Sequence, residues 1–370
     1  MRRQAGASAR GRRDGAALTA MARISTRDRE HVLAHTAGLW DGLRGERIFM
    51  TGGTGFVGTW LVEAFVAANA AHDLGATAVL LSRDPQRFAE RAPHLARDNA
   101  VQLVAGDAAD LTPPEGRFAF VVHAATERYD GDDAARLRSL ERDTAATRRM
   151  LDFAKNAGTR RLLFTSSGAV YGNQPATLER VAETYSGLPD PVDPRAAYGH
   201  GKRLSELACA ASARAGGFDA VIGRLFTFVG PHLSLGAGFA VVDFMADILA
   251  GRAIRIGGDG TAVRSYLYGA DLAIWLWTLL LRGAPGRAYN VGSAQPLTIR
   301  ALAELMAAEL SPGTAIEVAH RTVAGAAGAR YVPSVDRAES ELGLRVRVPL
   351  ADALRRTYDF HRGYAAEDAG

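Results

Sequence analysis

The segment that most limits how this chain can fold is "RIFMTGGTGFVGTWLVEAFVAANA", residues 47 to 70. A short apolar run enters a glycine cluster and leaves it with helical apolar spacing, so the segment reads as strand, tight turn and helix. Gly52, Gly55 and Gly58 permit the turn, the close approach of backbone N–H groups to a pyrophosphate, and the packing of helix on strand. The helix N-terminus, entered through Phe56 and Val57, favours negative charge. At the first strand–helix junction of an alternating pattern, such a cluster is expected to hold a dinucleotide.

The alternation continues through "ATAVLLSRD" (76–84), "AVQLVAGD" (100–107), "FAFVVHAAT" (118–126) and "RRLLFTSSGAVYG" (160–172), with a helical stretch at 133–157 before the last. Short β-rich runs separated by helices imply parallel strands with crossover helices, hence an α/β fold with a Rossmann-type doubly wound parallel sheet. Residues 46–225 and 265–295 are assigned to this dinucleotide-binding domain. From about residue 226 the alternation loosens. Residues 226–264 and 296–370 are expected to form a smaller, discontinuous C-terminal substrate-binding lobe over the carboxyl edge of the sheet, where open α/β sheets bind ligands. The strand-like "RAYNVGS" (287–293) is expected to return to the main domain.

Residues 22–45 read as a helical extension packing across the first helix. Residues 1–21 carry Arg2, Arg3, Arg10, Arg12 and Arg13 without apolar periodicity and read as a solvated basic tail. That tail accounts for the formal charge of +4, so the basic pI of about 9.4 does not call for a nucleic-acid partner. Cys209 is the only cysteine, which excludes an intrachain disulfide and a cysteine-based zinc site; no metal is expected, and a reducing cytoplasm fits. The most apolar run, "LAIWLWTLLL" (272–281), spans about half of the roughly 20 residues that a membrane crossing needs and is expected to be a buried helix.

The end of the second strand reports on the ribose. A carboxylate there binds the 2′-hydroxyl of NAD, whereas an arginine accommodates the 2′-phosphate of NADP. Here Ser82 and Arg83 stand in that place, with Asp84 one step later, which leans toward NADP and leaves NAD open. A second constellation is "AAYGHGKRLSE" (196–206). The chain has two lysines, Lys155 and Lys202, among 44 basic residues, and Lys202 follows Tyr198 by four positions. On a helix these two share a face. An ordinary tyrosine, with a pKa near 10, is only about 0.1% ionised at neutral pH, and a fixed ammonium beside the phenol favours its phenolate.

In order and spacing, "TGGTGFVG", "GD" (106–107), "HAAT" (123–126), "TSSGAVYG" (165–172), "YGHGK" (198–202), "RLFTFVGP" (224–231), "GDGTAVRSYLYGADLA" (258–273) and "YNVGS" (289–293) resemble the extended short-chain dehydrogenase/reductases. Within them, the chain is similar to the NAD-dependent epimerase/dehydratase group acting on nucleotide sugars. The resemblance implies that Tyr198 is the general base or acid, Lys202 its electrostatic partner and a ribose ligand, and Ser167 the hydroxyl bonding the reacting sugar oxygen. It implies that Asp107, with Ala108 beside it, meets the adenine, that Ala124 and Ala125 line the cofactor path, and that Arg264 grips the diphosphate. Thr227 stands where the family usually has asparagine, again in the substrate site.

The resemblance also implies what is missing. The 4,6-dehydratases of the family typically carry Asp and Glu after the catalytic Ser or Thr, and the uronate decarboxylases carry Glu at the second of those positions; this chain has Gly168 and Ala169. Those two activities are therefore less expected, unless Glu127, His123 or His232 supplies the carboxylate or imidazole from elsewhere. A nucleotide-sugar epimerase, acting at sugar C4 through a transient ketone, is expected first, and an NADPH-dependent 4-keto nucleotide-sugar reductase second. A non-catalytic sensor of the dinucleotide has no use for Ser167, Tyr198 and Lys202 together. The partners implied are a nucleotide-diphosphate sugar and a second copy of the chain, with no nucleic acid and no membrane.

Overall fold

The structure, a computed structural model, describes residues 22–127, 129–320 and 328–363; the basic tail expected at 1–21 lies outside them. The extension begins with α1 (Thr26–His35), capped by Ser25. Then follow β1 (Arg47–Thr51), α2 (Phe56–His72), β2 (Thr77–Ser82), the short helices α3 (Pro85–Arg91) and α4 (Pro93–Ala96), β3 (Val101–Ala105) and β4 (Phe120–His123). The long α5 (Asp133–Asn156) leads to β5 (Arg161–Ser167), and α6 (Ala197–Ala215) to β6 (Asp219–Leu225). These join one seven-stranded sheet, in the order Ala288–Val291, β6, β5, β4, β1, β2, β3, with every pairing parallel.

The chain starts at β1, winds outward to β3, and returns to β4 on the other side of β1. The strand order therefore reverses between β1 and β4, and a crevice opens at their carboxyl ends. Parallel strands covered on both faces must be apolar throughout, and four of the five residues of β1 and all four of β4 are buried. The helix Gly269–Arg282 contains the apolar run 272–281 and buries all of its residues up to Leu280. It lies against α2, and α1 packs on both. No described helix is long and apolar enough to cross a membrane.

The extension is tied down by charge as well as packing. Asp28, 1% exposed, accepts the Tyr268 hydroxyl at 2.9 Å and Arg356 Nη1 at 2.5 Å. Over the carboxyl edge of the sheet, the regular pattern gives way to two-residue strands. Phe228–Val229 pairs with Leu267–Tyr268, and Val263–Arg264 is flanked by Leu297–Thr298 and Arg330–Tyr331. The pairing of Phe228–Val229 with Leu267–Tyr268 crosses the boundaries drawn at 225/226 and 264/265, so main domain and lobe share backbone hydrogen bonds there.

Candidate active site

Two cavities open at the carboxyl edge, and Phe56 at the start of α2 lines both. The first, about 340 Å³, follows the glycine turn and the ends of β2, β3 and β4. At Gly52, φ is +71°, and a Cβ would lie 2.4 Å from the backbone carbon of Ala124; at Gly58 it would lie 2.1 Å from the carbonyl oxygen of Gly52. Both positions demand glycine, which brings the turn, the end of β4 and the α2 N-terminus into contact. This cradle suits a pyrophosphate on backbone N–H groups.

Gly52, Gly55, Phe56, Val57, Ser82, Arg83, Asp107, Ala108, Ala124 and Ala125 all line this cleft. Asp84 does not; its carboxylate caps α3 by accepting the Arg87 N–H at 2.9 Å. Arg83 is not a free cation, since Glu127 lies 3.4 Å from its Nη1. The same Glu127 meets Arg142 Nε at 3.3 Å, and Arg142 Nη2 reaches Asp107 at 2.6 Å. Sequence reasoning passed over Arg142, which only the close approach of α5 to the ends of β3 and β4 brings in.

The second cavity, about 810 Å³, holds Ser167, Tyr198, Thr227 and Arg264 in its wall. Ser167, at the end of β5, accepts the Ala169 N–H at 3.1 Å and lies 3.3 Å from the Tyr331 hydroxyl. Tyr198 is half-buried in the first turn of α6. One turn on, Lys202 is 4% exposed, donates to the Thr165 carbonyl at 3.2 Å, and stands 5.8 Å from the centre of the Tyr198 ring. Arg264 donates to the carbonyls of Val263 and Ala329, both at 2.9 Å, and no carboxylate pairs with it among the described residues. An arginine facing a cavity without a counter-ion is suited to an anionic ligand.

The chain matches the description "NAD dependent epimerase/dehydratase family" over residues 48–292, well over half its length. It belongs to that family. It is thus an enzyme of nucleotide-sugar modification within the extended short-chain dehydrogenase/reductases, and its cofactor is a nicotinamide dinucleotide. UDP-glucuronic acid decarboxylase 1 of Arabidopsis thaliana is 27% identical over 88% of this chain and 72% of its own length. UDP-glucuronic acid decarboxylase 1 of Xenopus tropicalis is 30% identical over 61% of this chain, which spans about half (52%) of that relative. Among solved structures, DesIV, a dTDP-glucose 4,6-dehydratase from Streptomyces venezuelae with NAD bound, aligns with a TM-score of 0.72 at 27% identity over 86% of this chain and 97% of its own.

Within this family frame, position 168 has no room for a side chain unless Phe226 and Tyr331 move. A Cβ on Gly168 would lie 2.7 Å from the Phe226 ring and 2.7 Å from the Tyr331 hydroxyl. Nor do the three alternative acids reach Ser167. His123 is a core residue, 2% exposed, with Nδ1 2.8 Å from Thr51 Oγ1 and Nε2 3.2 Å from Thr147 Oγ1; burial first, then the Lys202 charge, pushes its pKa down to about 3. His232 is buried beside Glu63, and Glu127 serves the dinucleotide cleft; neither lines the substrate cavity.

Behind Ser167, a buried network that sequence reasoning missed fixes the end of β5 to α6. Ser166 Oγ donates to Glu206 at 2.5 Å, Arg224 grips the same carboxylate at 2.6 Å and 2.9 Å, and Arg224 Nη1 reaches the Tyr171 oxygen at 2.8 Å. Burial pushes the Tyr171 phenol up to about 12, although Arg224 opposes it, so Tyr171 donates its proton to Asn290 Oδ1 at 2.8 Å. Glu206 follows Tyr198 by two helical turns. That spacing is the one signal in the sequence that it faces the same side.

Proposed function

We propose that this enzyme is a nucleotide-sugar 4-epimerase. The observation that carries the reading is the pairing of Ser167 with Tyr198 in one cavity whose neighbouring position, Gly168, has no room for a carboxylate while Phe226 and Tyr331 stand where they do, and whose next residue is Ala169. Such a site can remove and return one proton at a hydroxyl, but among the described residues its lining has no carboxylate or imidazole for eliminating water. Tyr198, with Lys202 behind its ring, takes the proton of the sugar C4 hydroxyl, and Ser167 holds that oxygen. A bound nicotinamide dinucleotide supplies the acceptor, and then the donor, of the C4 hydride. The 4-keto sugar turns in the cavity, Arg264 keeps the diphosphate, and Tyr198 gives the proton back to the oxygen on the other face. The glycine cradle fits this cofactor, and the Glu127 carboxylate beside Arg83 favours NAD, because a 2′-phosphate there would meet like charge.

A second reading, uronate decarboxylation, is favoured by the names of the curated relatives and by chemistry. Oxidising C4 of a uronate makes a β-keto acid, which can lose carbon dioxide without the missing carboxylate. A 4-keto reductase would use the same residues with a cofactor that exchanges at each turnover. A cytoplasmic homodimer completes the proposal. Leu137 on α5 and Leu204 and Leu207 on α6 are all at least half exposed on adjacent helices, whereas Met150 and Leu151 are core residues.

The test is to denature the purified protein, identify the released dinucleotide, and incubate native protein with UDP-glucuronate. Retained NAD and a C4 epimer are expected. Release of carbon dioxide would replace the epimerase with the decarboxylase. An empty protein that consumes NADPH with a 4-keto nucleotide sugar would replace it with the reductase.

A further inference from the structure

Tyr198 has an aromatic neighbour that is not itself part of the cavity lining. A second phenol, Tyr129, meets it edge to face, with ring centres 5.2 Å apart and planes at 64°. Tyr129 lies in the loop from β4 to α5, and that loop is pinned by one buried carboxylate. Asp143 on α5, 6% exposed, accepts Thr126 Oγ1 at 2.9 Å, the Glu127 N–H at 2.8 Å and the Tyr129 hydroxyl at 3.1 Å. Thr126, Glu127 and Asp143 also line the dinucleotide cleft. On the other side, α6 makes room for the phenol with Gly201, where a Cβ would lie 2.9 Å from the Tyr129 oxygen.

We propose that Tyr129, clamped by Asp143, is a positioning residue that sets the orientation of the Tyr198 ring and couples it to the dinucleotide cleft. Burial first, then the Asp143 charge, drives the Tyr129 phenol well above the ordinary tyrosine value. Tyr129 therefore stays a neutral donor to Asp143 and is not the proton carrier, although it is the neighbour of the residue that is. An edge-to-face contact restrains the ring of a half-exposed tyrosine, and a proton transfer depends steeply on that restraint. A dinucleotide in the cleft bears on Thr126 and Glu127, hence on Asp143, and through it on the strut.

The inference rests on the reading of Tyr198 as the base, so the experiment tests the two separately. Holoprotein is offered UDP-glucose, UDP-glucuronate and dTDP-glucose, and the transient reduction of its bound dinucleotide is followed by absorbance in wild type, Tyr198→Phe, Tyr129→Phe, Tyr129→Leu and Gly201→Ala. Tyr129→Leu is expected to lower the reduction rate by about 10- to 100-fold while leaving the half-saturating sugar concentration within about threefold, the signature of lost orientation rather than lost binding. Tyr129→Phe keeps the ring edge but loses the bond to Asp143, and is expected to recover the rate only in part. Gly201→Ala, a substitution that favours the helix itself, is expected to slow the reaction by pushing on the Tyr129 oxygen. A Tyr129→Leu rate within about twofold of wild type overturns the strut, and so does a loss that Tyr129→Phe fails to recover even in part. Full activity of Tyr198→Phe, or a wild type inert to all three sugars, overturns the base assignment and the strut with it.

Discussion

The two cavities meet at Phe56 but are built on different principles. The dinucleotide cleft is made by regular elements, namely the ends of β1 to β4, the first turn of α2 and one face of α5. Its charged groups already answer one another, Arg83 with Glu127 and Arg142 with Asp107. The substrate cavity is walled by two-residue strands, by the aromatic rings of Phe226, Phe228, Tyr266 and Tyr331, and by an arginine with no carboxylate partner among the described residues. A shared cofactor asks for a fixed mould, whereas a variable sugar asks for a wall whose parts can be exchanged. The comparison predicts that damage to one half can be separated from damage to the other.

The sharpest separation should come from Tyr198→Phe. Loss of a positioned acid–base group typically costs about 10²- to 10⁴-fold in turnover, while the dinucleotide cleft, to which Tyr198 does not contribute a wall, should keep its occupant. Measured dinucleotide content equal to wild type with turnover lost would show that holding the dinucleotide does not need the base; loss of both would mean that the cleft depends on Tyr198 as well. Gly52→Ala is the converse. The new methyl group would enter a left-handed backbone position and press on the end of β4, and a strain of about 1–3 kcal/mol should weaken dinucleotide retention roughly 10- to 100-fold. Equilibrium dialysis against NAD reads this directly.

How far the sequence revealed each half follows the same division. The cradle was legible because its requirements are local: Gly52 and Gly58 lie within one turn, and Tyr198 and Lys202 within one helical turn. The first five strands were legible because they are short apolar runs between turn signals, four of them (β1, β2, β4 and β5) almost wholly buried. What escaped notice is long-range. Tyr331 reaches Ser167 from 164 positions away, Arg142 reaches Asp107 from a different element, and Tyr129 leans on Tyr198 only because Asp143 folds the loop back. The Asp84 carboxylate, open to the ribose in sequence, is spent on the α3 cap. No periodicity encodes such meetings, since they depend on where α5 and the small lobe come to rest.

A smaller effect should sharpen the substrate half. Replacing Gly168 with serine places a Cβ and hydroxyl against Phe226 and Tyr331, and overpacking of this kind costs about 1–3 kcal/mol. The expected outcome is a lower melting temperature and weaker sugar binding with NAD content unchanged. Retained sugar affinity would mean that Phe226 and Tyr331 swing aside. Position 168 would then have been open to the carboxylate of a dehydratase after all.

The most gradual effect concerns pH and tests whether the mould is also the acid-sensitive half. His123 ends β4 under the glycine turn, and burial holds it neutral down to about pH 3, against an ordinary value of 6.5. The unfolded chain takes a proton near 6.5 that the folded protein refuses until about 3, so acidification across that window favours unfolding, and stability is whole only above it. One such group contributes a slope of at most about 1.4 kcal/mol per pH unit. His123→Gln keeps a polar partner for Thr51 and Thr147 but removes the titration. Its melting temperature should therefore fall less steeply than that of wild type between neutral pH and about pH 4. If the two slopes coincide, the acid lability arises elsewhere, and the buried sheet edge beneath the cofactor is not the part that acid attacks first.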